Sequence, residues 1–247
     1  VDSARPAPEP PEEPVANKRA SQDRKARLAE IQNQQKAKER KVVAGIVVGC
    51  LVLLAGLTGV VLYAINDAKA GQLPNLGASV AAAKCDAVTT DANAGSGEHV
   101  GPGTQKPDET SVKYATIPPS NGPHFVSPDV SGRDFYTATD RPVLETLVHN
   151  LEHGYTILWY DGAKVKDTTL LKDIADQGNK QAESSGKFKV VEWDASRGAF
   201  PADKPYALVH WAKDAGHRQL CGDISGQVVV DFVKKFPKDD TQEPGAA

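Results

Sequence analysis

The longest apolar run in this chain predicts a membrane-spanning helix. Residues 42–65 read VVAGIVVGCLVLLAGLTGVVLYAI and contain no charged side chain. At 1.5 Å per residue, a helix of about 24 residues spans the roughly 30 Å hydrocarbon core of a bilayer. A secretory signal peptide is the alternative, but its apolar region is usually about 7–15 residues long and lies near the N-terminus. We therefore expect a transmembrane helix at residues 42–65.

Beyond residue 85, the spacing of apolar residues predicts a small α+β domain with a mixed sheet. The predicted helices lie at 140–154, 167–182 and 225–236. The predicted strands lie at 111–117, 155–160, 187–193 and 205–211. The first of these helices has Asp140 as its expected cap, Gly154 at its exit, and an apolar face. That face consists of Leu144, Leu147, Val148 and Leu151.

These assignments divide the chain into five parts. They are a cytoplasmic arm (1–41), the transmembrane helix (42–65), a linker (66–84), the α+β domain (85–240) and a tail (241–247). Within the arm, the Pro- and Glu-rich residues 1–16 are expected to be disordered. Residues 17–41 are strong helix formers and are expected to be helical.

Charge sets the expected orientation. Residues 1–41 carry a net charge of +3 and the rest of the chain −6. Four basic residues precede the apolar run, whereas Asn66 and Asp67 follow it. By the positive-inside rule, the N-terminus is cytoplasmic and the domain lies outside the plasma membrane. The acidic balance of the domain gives no indication of nucleic-acid binding.

The three cysteines are expected to play different roles. Cys50 lies inside the apolar run, whereas Cys85 and Cys221 lie in the outer domain. An oxidising compartment favours a disulfide between Cys85 and Cys221. Two unpaired structural thiols are the alternative, and a copper site using both is less favoured because neither lies in a CxxC or CxxxC spacing.

The most informative stretch for chemistry is LVHNLEHGY, residues 147–155. His149 and His153 are four residues apart, so on a helix they share a face, away from the apolar one. Two imidazoles at this spacing can chelate one metal ion. His124 in the loop PPSNGPHF is a further candidate ligand, as is His99 in GEHVGPG, with Glu152 as the residue that orients them. Zinc and copper are the metals that suit such ligands.

Two other interpretations of these histidines stay open. The first is a hydrogen-bonded structural cluster, because polar side chains are favoured in the last turn of a helix. The second is a zinc peptidase, since HNLEH matches H-x-x-E-H with Glu152 as general base. The peptidase would need an acidic third ligand such as Glu183 or Glu192. His210 alternates with apolar residues on a predicted strand, so we expect it to be buried and hydrogen-bonded.

The order of these motifs resembles an uncharacterised domain-of-unknown-function family. The resemblance rests on Cys85, GEHV, Tyr114 with PPSNGPH, and LVHNLEHGY followed by an apolar strand, and it covers roughly residues 80–236. This family is common in actinobacteria, usually behind one membrane helix. In its layout, the chain also resembles accessory subunits of the respiratory supercomplex that joins cytochrome bcc to an aa3 oxidase.

The family resemblance implies location and architecture more than activity. The membrane layout and the absence of a complete catalytic set favour a non-catalytic, membrane-anchored accessory subunit whose outer domain contacts partner membrane proteins. Cytochrome bcc and the aa3 oxidase are the partners that the layout suggests. No G-x-S-x-G, P-loop or dinucleotide motif is present, so an enzyme is the less favoured reading. The alternative function is extracytoplasmic binding or delivery of copper or zinc through the histidines.

Overall fold

The computed structural model describes residues 15–246, with side chains described for residues 21–64 and 71–246. The chain forms two units, Val1–Ile65 and Asn66–Ala247. The predicted disorder of residues 1–16 falls almost wholly outside the described residues.

Helix α1, Val15–Ala70, dominates the first unit. It runs without interruption through the charged residues predicted to be helical and through the apolar run. Every apolar side chain described between Val42 and Tyr63 is exposed. Among the described residues, the segment Ser21–Ala64 of α1 is the one helical stretch long and apolar enough to cross a membrane. This property fits membrane anchoring.

Within its described residues, the second unit contains four further α-helices and eight strands. The helices are α2 (Val80–Ala83), α3 (Leu144–Glu152), α4 (Thr169–Asn179) and α5 (Gly226–Lys235). The strands are β1 (Thr89–Ala92), β2 (His99–Val100), β3 (His124–Phe125), β4 (Phe135–Tyr136), β5 (Thr156–Tyr160), β6 (Phe188–Glu192), β7 (Tyr206–Trp211) and β8 (Ala215–Cys221). Short 3-10 helices lie at Leu73–Asn75, Ala182–Ser184 and Ala195–Arg197.

Six of the strands form a mixed sheet in the order β1-β8-β7-β5-β6-β4. Strands β5 and β6 are parallel, as are β6 and β4, whereas β7 is antiparallel to β5 and β8. Every residue of β5 is buried because both faces of the sheet are covered. Strands β2 and β3 form a separate parallel ribbon. The predicted α+β class with a mixed sheet is therefore confirmed.

Alternation along the central strands sends side chains into two separate cores. Leu158 and Tyr160 join the core that includes apolar residues of α4 and α5. Ile157 and Trp159 join the core on the opposite face, which contains the apolar face of α3. All four predicted apolar residues of α3 are buried there. Helix α3 thus packs on one face of the sheet, and α4 and α5 on the other.

The predicted disulfide between Cys85 and Cys221 is confirmed. It joins the segment after α2 to the last residue of β8. Together with the exposed apolar α1, a disulfide in the C-terminal unit fits an anchored protein whose domain lies outside the cytoplasm.

Several local predictions are wrong, and the structure shows why. Residues 111–117 form no strand, because the Val112 N–H donates to the buried Glu145 carboxylate instead of to a neighbouring strand. Asp140 does not cap α3. It accepts from the Thr137 N–H and pairs with Arg133, while Val143 holds the N-cap position.

The predicted linker and tail are both part of the folded unit. Leu73 and Ala83, within the predicted linker, are fully buried in the core. Thr241, within the predicted tail, is fully buried and donates from its hydroxyl to the Glu152 carbonyl.

Candidate functional site: a buried histidine and glutamate cluster

The ribbon of β2 and β3 places His99 directly beside His124. The two strands are only two residues long, and the Glu98 carbonyl accepts the His124 N–H, which fixes their register. Gly95 has φ +71°, and a side chain there would collide with the backbone of Pro123. The glycines around each histidine thus allow two loops to approach closely.

Helix α3 supplies the other side of the site. Its apolar face packs on the sheet, so His149 and Glu152 lie on the face turned towards the ribbon. The predicted separation of histidines from the apolar stripe is confirmed. Both faces of α3 are covered, however, so His149 and His153 are buried rather than exposed.

Four side chains converge between the ribbon and the helix. One ligand-type atom from each of His99, His124, His149 and Glu152 lies within 4.8 Å of the others. His124 and Glu152 are fully buried and His149 is 4% exposed. The three imidazole rings are mutually adjacent, with centroid separations of 4.8–5.1 Å. A closed group of nitrogen and oxygen donors of this kind can hold a single metal ion.

Backbone carbonyls fix the orientation of two of the rings. The Nδ1–H of His124 donates to the Gly122 carbonyl at 2.8 Å, and that of His149 donates to the Phe125 carbonyl at 2.5 Å. We assign the proton to Nδ1 in each case because a carbonyl can only accept. The Nε2 atom of His124 then lies 2.8 Å from Oε2 of Glu152, and that of His149 lies 2.9 Å from Nε2 of His153. Metal-binding histidines are held in this way in proteins.

The contact between His124 and Glu152 needs a cation. Glu152 accepts the Gly97 N–H through Oε1, while its Oε2 lies 2.8 Å from Nε2 of His124. Neither of these two buried atoms has a hydrogen-bond partner of acceptable geometry in the part of the chain that the structure describes. A neutral His124 would place a lone pair against a carboxylate oxygen. Either a proton on Nε2 or a bound metal ion removes that repulsion.

Electrostatics favour a neutral His149 and an ionised Glu152. Burial and, to a smaller extent, the neighbouring histidines lower the pKa of His149 to about 4, against the opposing effect of the hydrogen bond to Phe125. Burial alone would raise the pKa of Glu152. Its contacts with His124 and the Gly97 N–H hold that pKa below its ordinary value. At neutral pH, the His149 imidazole is therefore uncharged and the Glu152 carboxylate is an anion.

His153 lies at the edge of the cluster rather than among its four members. Its Nε2 is 2.9 Å from Nε2 of His149 and 3.2 Å from a carboxylate oxygen of Glu243. Of the residues predicted from sequence, His99, His124 and His149 therefore converge. Glu152, predicted to orient them, places an oxygen inside the group.

Neither acidic residue suggested for a peptidase belongs to this cluster. The Glu192 carboxylate accepts the Ala138 N–H at 2.9 Å, and the Glu183 backbone carbonyl accepts the Lys238 N–H.

His210 matches its predicted role: it is fully buried, contacts Thr156 and donates to the Asp240 carbonyl. Burial lowers the pKa of His210 to about 4.

Fold and site together define a class: a protein whose described residues form an exposed apolar helix and an α+β domain in which a partly buried His99 meets the buried His124, His149 and Glu152. The family described as "Protein of unknown function (DUF3105)" matches residues 105–247, more than half of the chain. The chain therefore belongs to this family, as its motifs indicated. The matched region contains His124, His149 and Glu152, whereas His99 lies just before it. Comparison with curated proteins and with solved structures finds no match.

Proposed function

We propose that the protein is a membrane-anchored, non-catalytic metal-binding protein that holds one Zn²⁺ or Cu²⁺ ion outside the cytoplasm. The observation that carries this proposal is the convergence of four donor atoms, from His99, His124, His149 and Glu152, within 4.8 Å. Orientation and site occupancy are both part of the proposal. The orientation rests on the basic flank of the apolar run and on the disulfide.

The spacing of the donors suits a tetrahedral ion. With bonds of about 2.0–2.1 Å, tetrahedral ligand atoms lie roughly 3.3 Å apart. The observed atoms start at 2.8 Å for His124 and Glu152 and reach no further than 4.8 Å. Shifts of about 1 Å, the size of a small side-chain rotation, would bring them into coordination distance.

The donor types favour Zn²⁺ and Cu²⁺ over Cu⁺. Three imidazoles and a carboxylate are borderline to hard ligands, whereas Cu⁺ prefers thiolate and thioether sulfur. The chain has no methionine. The one free cysteine among the described residues is Cys50, in α1.

Four protein donors support a holding role rather than turnover. Catalytic zinc usually keeps one position open for water or substrate, while structural sites use four protein ligands. The site is still reachable, because a cavity of about 460 Å³ lies beside His99, lined also by Gly97, Thr104 and Lys106. That cavity offers a route for the ion to enter and leave.

Metal content of the full-length protein in detergent tests the proposal. After chelation and dialysis, we expect about one equivalent of Zn²⁺ or Cu²⁺ to bind, measured by calorimetry and elemental analysis. The variants His149→Gln and His124→Gln should lose it. His217→Gln, which changes a buried histidine elsewhere in the same unit, is the matched control and should keep it. Equal binding by all four proteins would reject the site.

An accessory role in a membrane complex is the second candidate function. It is favoured by the four glycines of the apolar run, Gly45, Gly49, Gly56 and Gly59, beside which α1 is open. Small residues let another membrane helix pack closely. The resemblance to respiratory accessory subunits makes cytochrome bcc and the aa3 oxidase the first partners to test. Purification in mild detergent should recover such subunits at near-equal amounts, and recovery of the protein alone would reject this role.

A further inference from the structure

A second cavity lies on the α3 side of the sheet, and none of the four side chains of the histidine cluster lines it. It has a volume of about 430 Å³, within the range of small-molecule sites. Residues at the start of α3 line it, together with residues that follow β6 and with Trp159 of β5. Its apolar walls are Phe125, Val143, Leu144, Leu147, Trp159 and Trp193. Ligands of sheets with parallel strands commonly bind beyond the carboxyl ends of those strands, and β5 and β6 are parallel here.

One polar group in these walls has no partner. Trp159 is 1% exposed, and its Nε1–H makes no hydrogen bond within the part of the chain that the structure describes. The other two tryptophans differ in this respect. Trp193 donates to the Gly198 carbonyl and Trp211 to the Asn93 side chain, both at 2.7 Å. Burying a donor without an acceptor costs free energy, so a ligand that supplies the acceptor would remove that cost.

The charged groups of the same cavity are already neutralised. Arg197 pairs with Glu145, whose carboxylate also accepts the Val112 N–H. Arg141 lies 3.4 Å from Asp194. Two arginines thus face two carboxylates, and no net charge is left to attract an ion. In addition, no side chain caps α3 at Val143, so this end of the cavity also favours a hydrogen-bond acceptor.

We propose that this cavity binds a neutral small molecule with an aromatic or apolar body and one carbonyl-type acceptor, which receives the Trp159 N–H. The aromatic walls of Trp159 and Trp193 stack on or edge against the body of the ligand. The proposal uses none of the four metal-binding candidates and stands apart from the metal proposal.

The indole N–H resonances of the full-length, ¹⁵N-tryptophan-labelled protein in detergent test this proposal. The chain has three tryptophans, so each resonance can be followed alone. The probes are acetophenone, ethylbenzene of nearly the same shape but without an acceptor, and benzoate with a charge, compared at matched free concentrations. Acetophenone should shift the Trp159 resonance in a saturable way and leave that of Trp211 unchanged.

The variant Trp159→Phe keeps an aromatic ring but removes the donor. We expect it to weaken acetophenone binding about five- to tenfold, the effect of one neutral hydrogen bond. An unchanged Trp211 resonance before titration shows that this variant is folded; Trp193 is not used for this purpose because its ring contacts Trp159. Absence of a shift with acetophenone, or equal affinity for ethylbenzene, would overturn the proposal. Tighter binding of benzoate would overturn the inference that the ligand is neutral.

Discussion

The substitution Glu152→Gln separates a metal site from a purely structural cluster, because the two predict different changes in stability. Glu152 and His124 are both fully buried and lie 2.8 Å apart. If the cluster is structural, a proton on His124 makes this contact a buried ion pair. Removing one partner of such a pair costs about 3–5 kcal/mol. For a domain of this size, that loss lowers the melting temperature by roughly 6–20 °C.

A metal site predicts, in addition, a stabilising effect of zinc that depends on Glu152. In the variant, the glutamine oxygen can still accept the Gly97 N–H, but an amide group replaces the carboxylate oxygen proposed to bind the ion. Zinc at a hundredfold excess over its dissociation constant should stabilise the wild type by about 2.7 kcal/mol. That corresponds to roughly 5–10 °C, and the variant should lose most of this rise.

Thermal melts of the full-length protein in detergent, followed by circular dichroism with chelator and with zinc, make the comparison. Glu243→Gln is the matched control, since Glu243 contacts His153 but lies outside the four-residue group. It should keep the zinc-dependent rise. A large loss of stability in metal-free Glu152→Gln, with no zinc effect on either protein, would refute the metal site and establish the structural cluster.

Three further predictions concern the folded unit. Burial lowers the pKa of His210 to about 4, so the unfolded chain binds the proton more readily than the folded one. The free energy of unfolding should therefore fall by about 3 kcal/mol as pH drops from about 6.5 to 4. Urea unfolding of His210→Asn should show a weaker dependence of stability on pH, and the same dependence as in the wild type would contradict this. Replacing Cys85 and Cys221 together with serine should cost up to about 5 kcal/mol for a 136-residue loop, and thermal melts should show the same loss on reduction of the wild type. Gly154→Ala should destabilise more than Gly186→Ala, because both have positive φ but only at Gly154 would a side chain meet backbone, at 2.1 Å from the Lys238 carbonyl; equal melting temperatures would contradict this.

The strongly periodic elements of the fold could be predicted from the sequence. The apolar face of α3 is defined by residues three or four positions apart, and the buried strand β5 by residues one or two positions apart. Local patterns of that kind carry no information about residues 111–117, where the Val112 N–H donates to the Glu145 side chain far along the chain. The short strands β2 and β3 have no apolar periodicity at all, since each is only two residues long.

Part of the candidate site could be predicted from the sequence for the same reason. His149 and Glu152 share a helix, so their proximity follows from helical geometry. The approach of His99 and His124 depends on the register of the ribbon. In the sequence, only the glycines of GEHV and GPH indicate that the two loops come close together. His153 satisfies the helical spacing as well as His149 does. It is displaced from the group because it occupies the C-cap of α3, beyond the last helical residue.

The location of the cluster follows from how α3 is covered. On the opposite face of the sheet, α4 and α5 build an apolar core. On the α3 face, the ribbon and the chain end close over the polar side of the helix, with Thr241 donating to the Glu152 carbonyl. Carbonyls of Gly122 and Phe125 then orient the rings from outside. Elements distant in sequence thus hold the four side chains of the proposed metal site close together. Such a preformed arrangement loses little entropy on binding and favours tight retention of the ion.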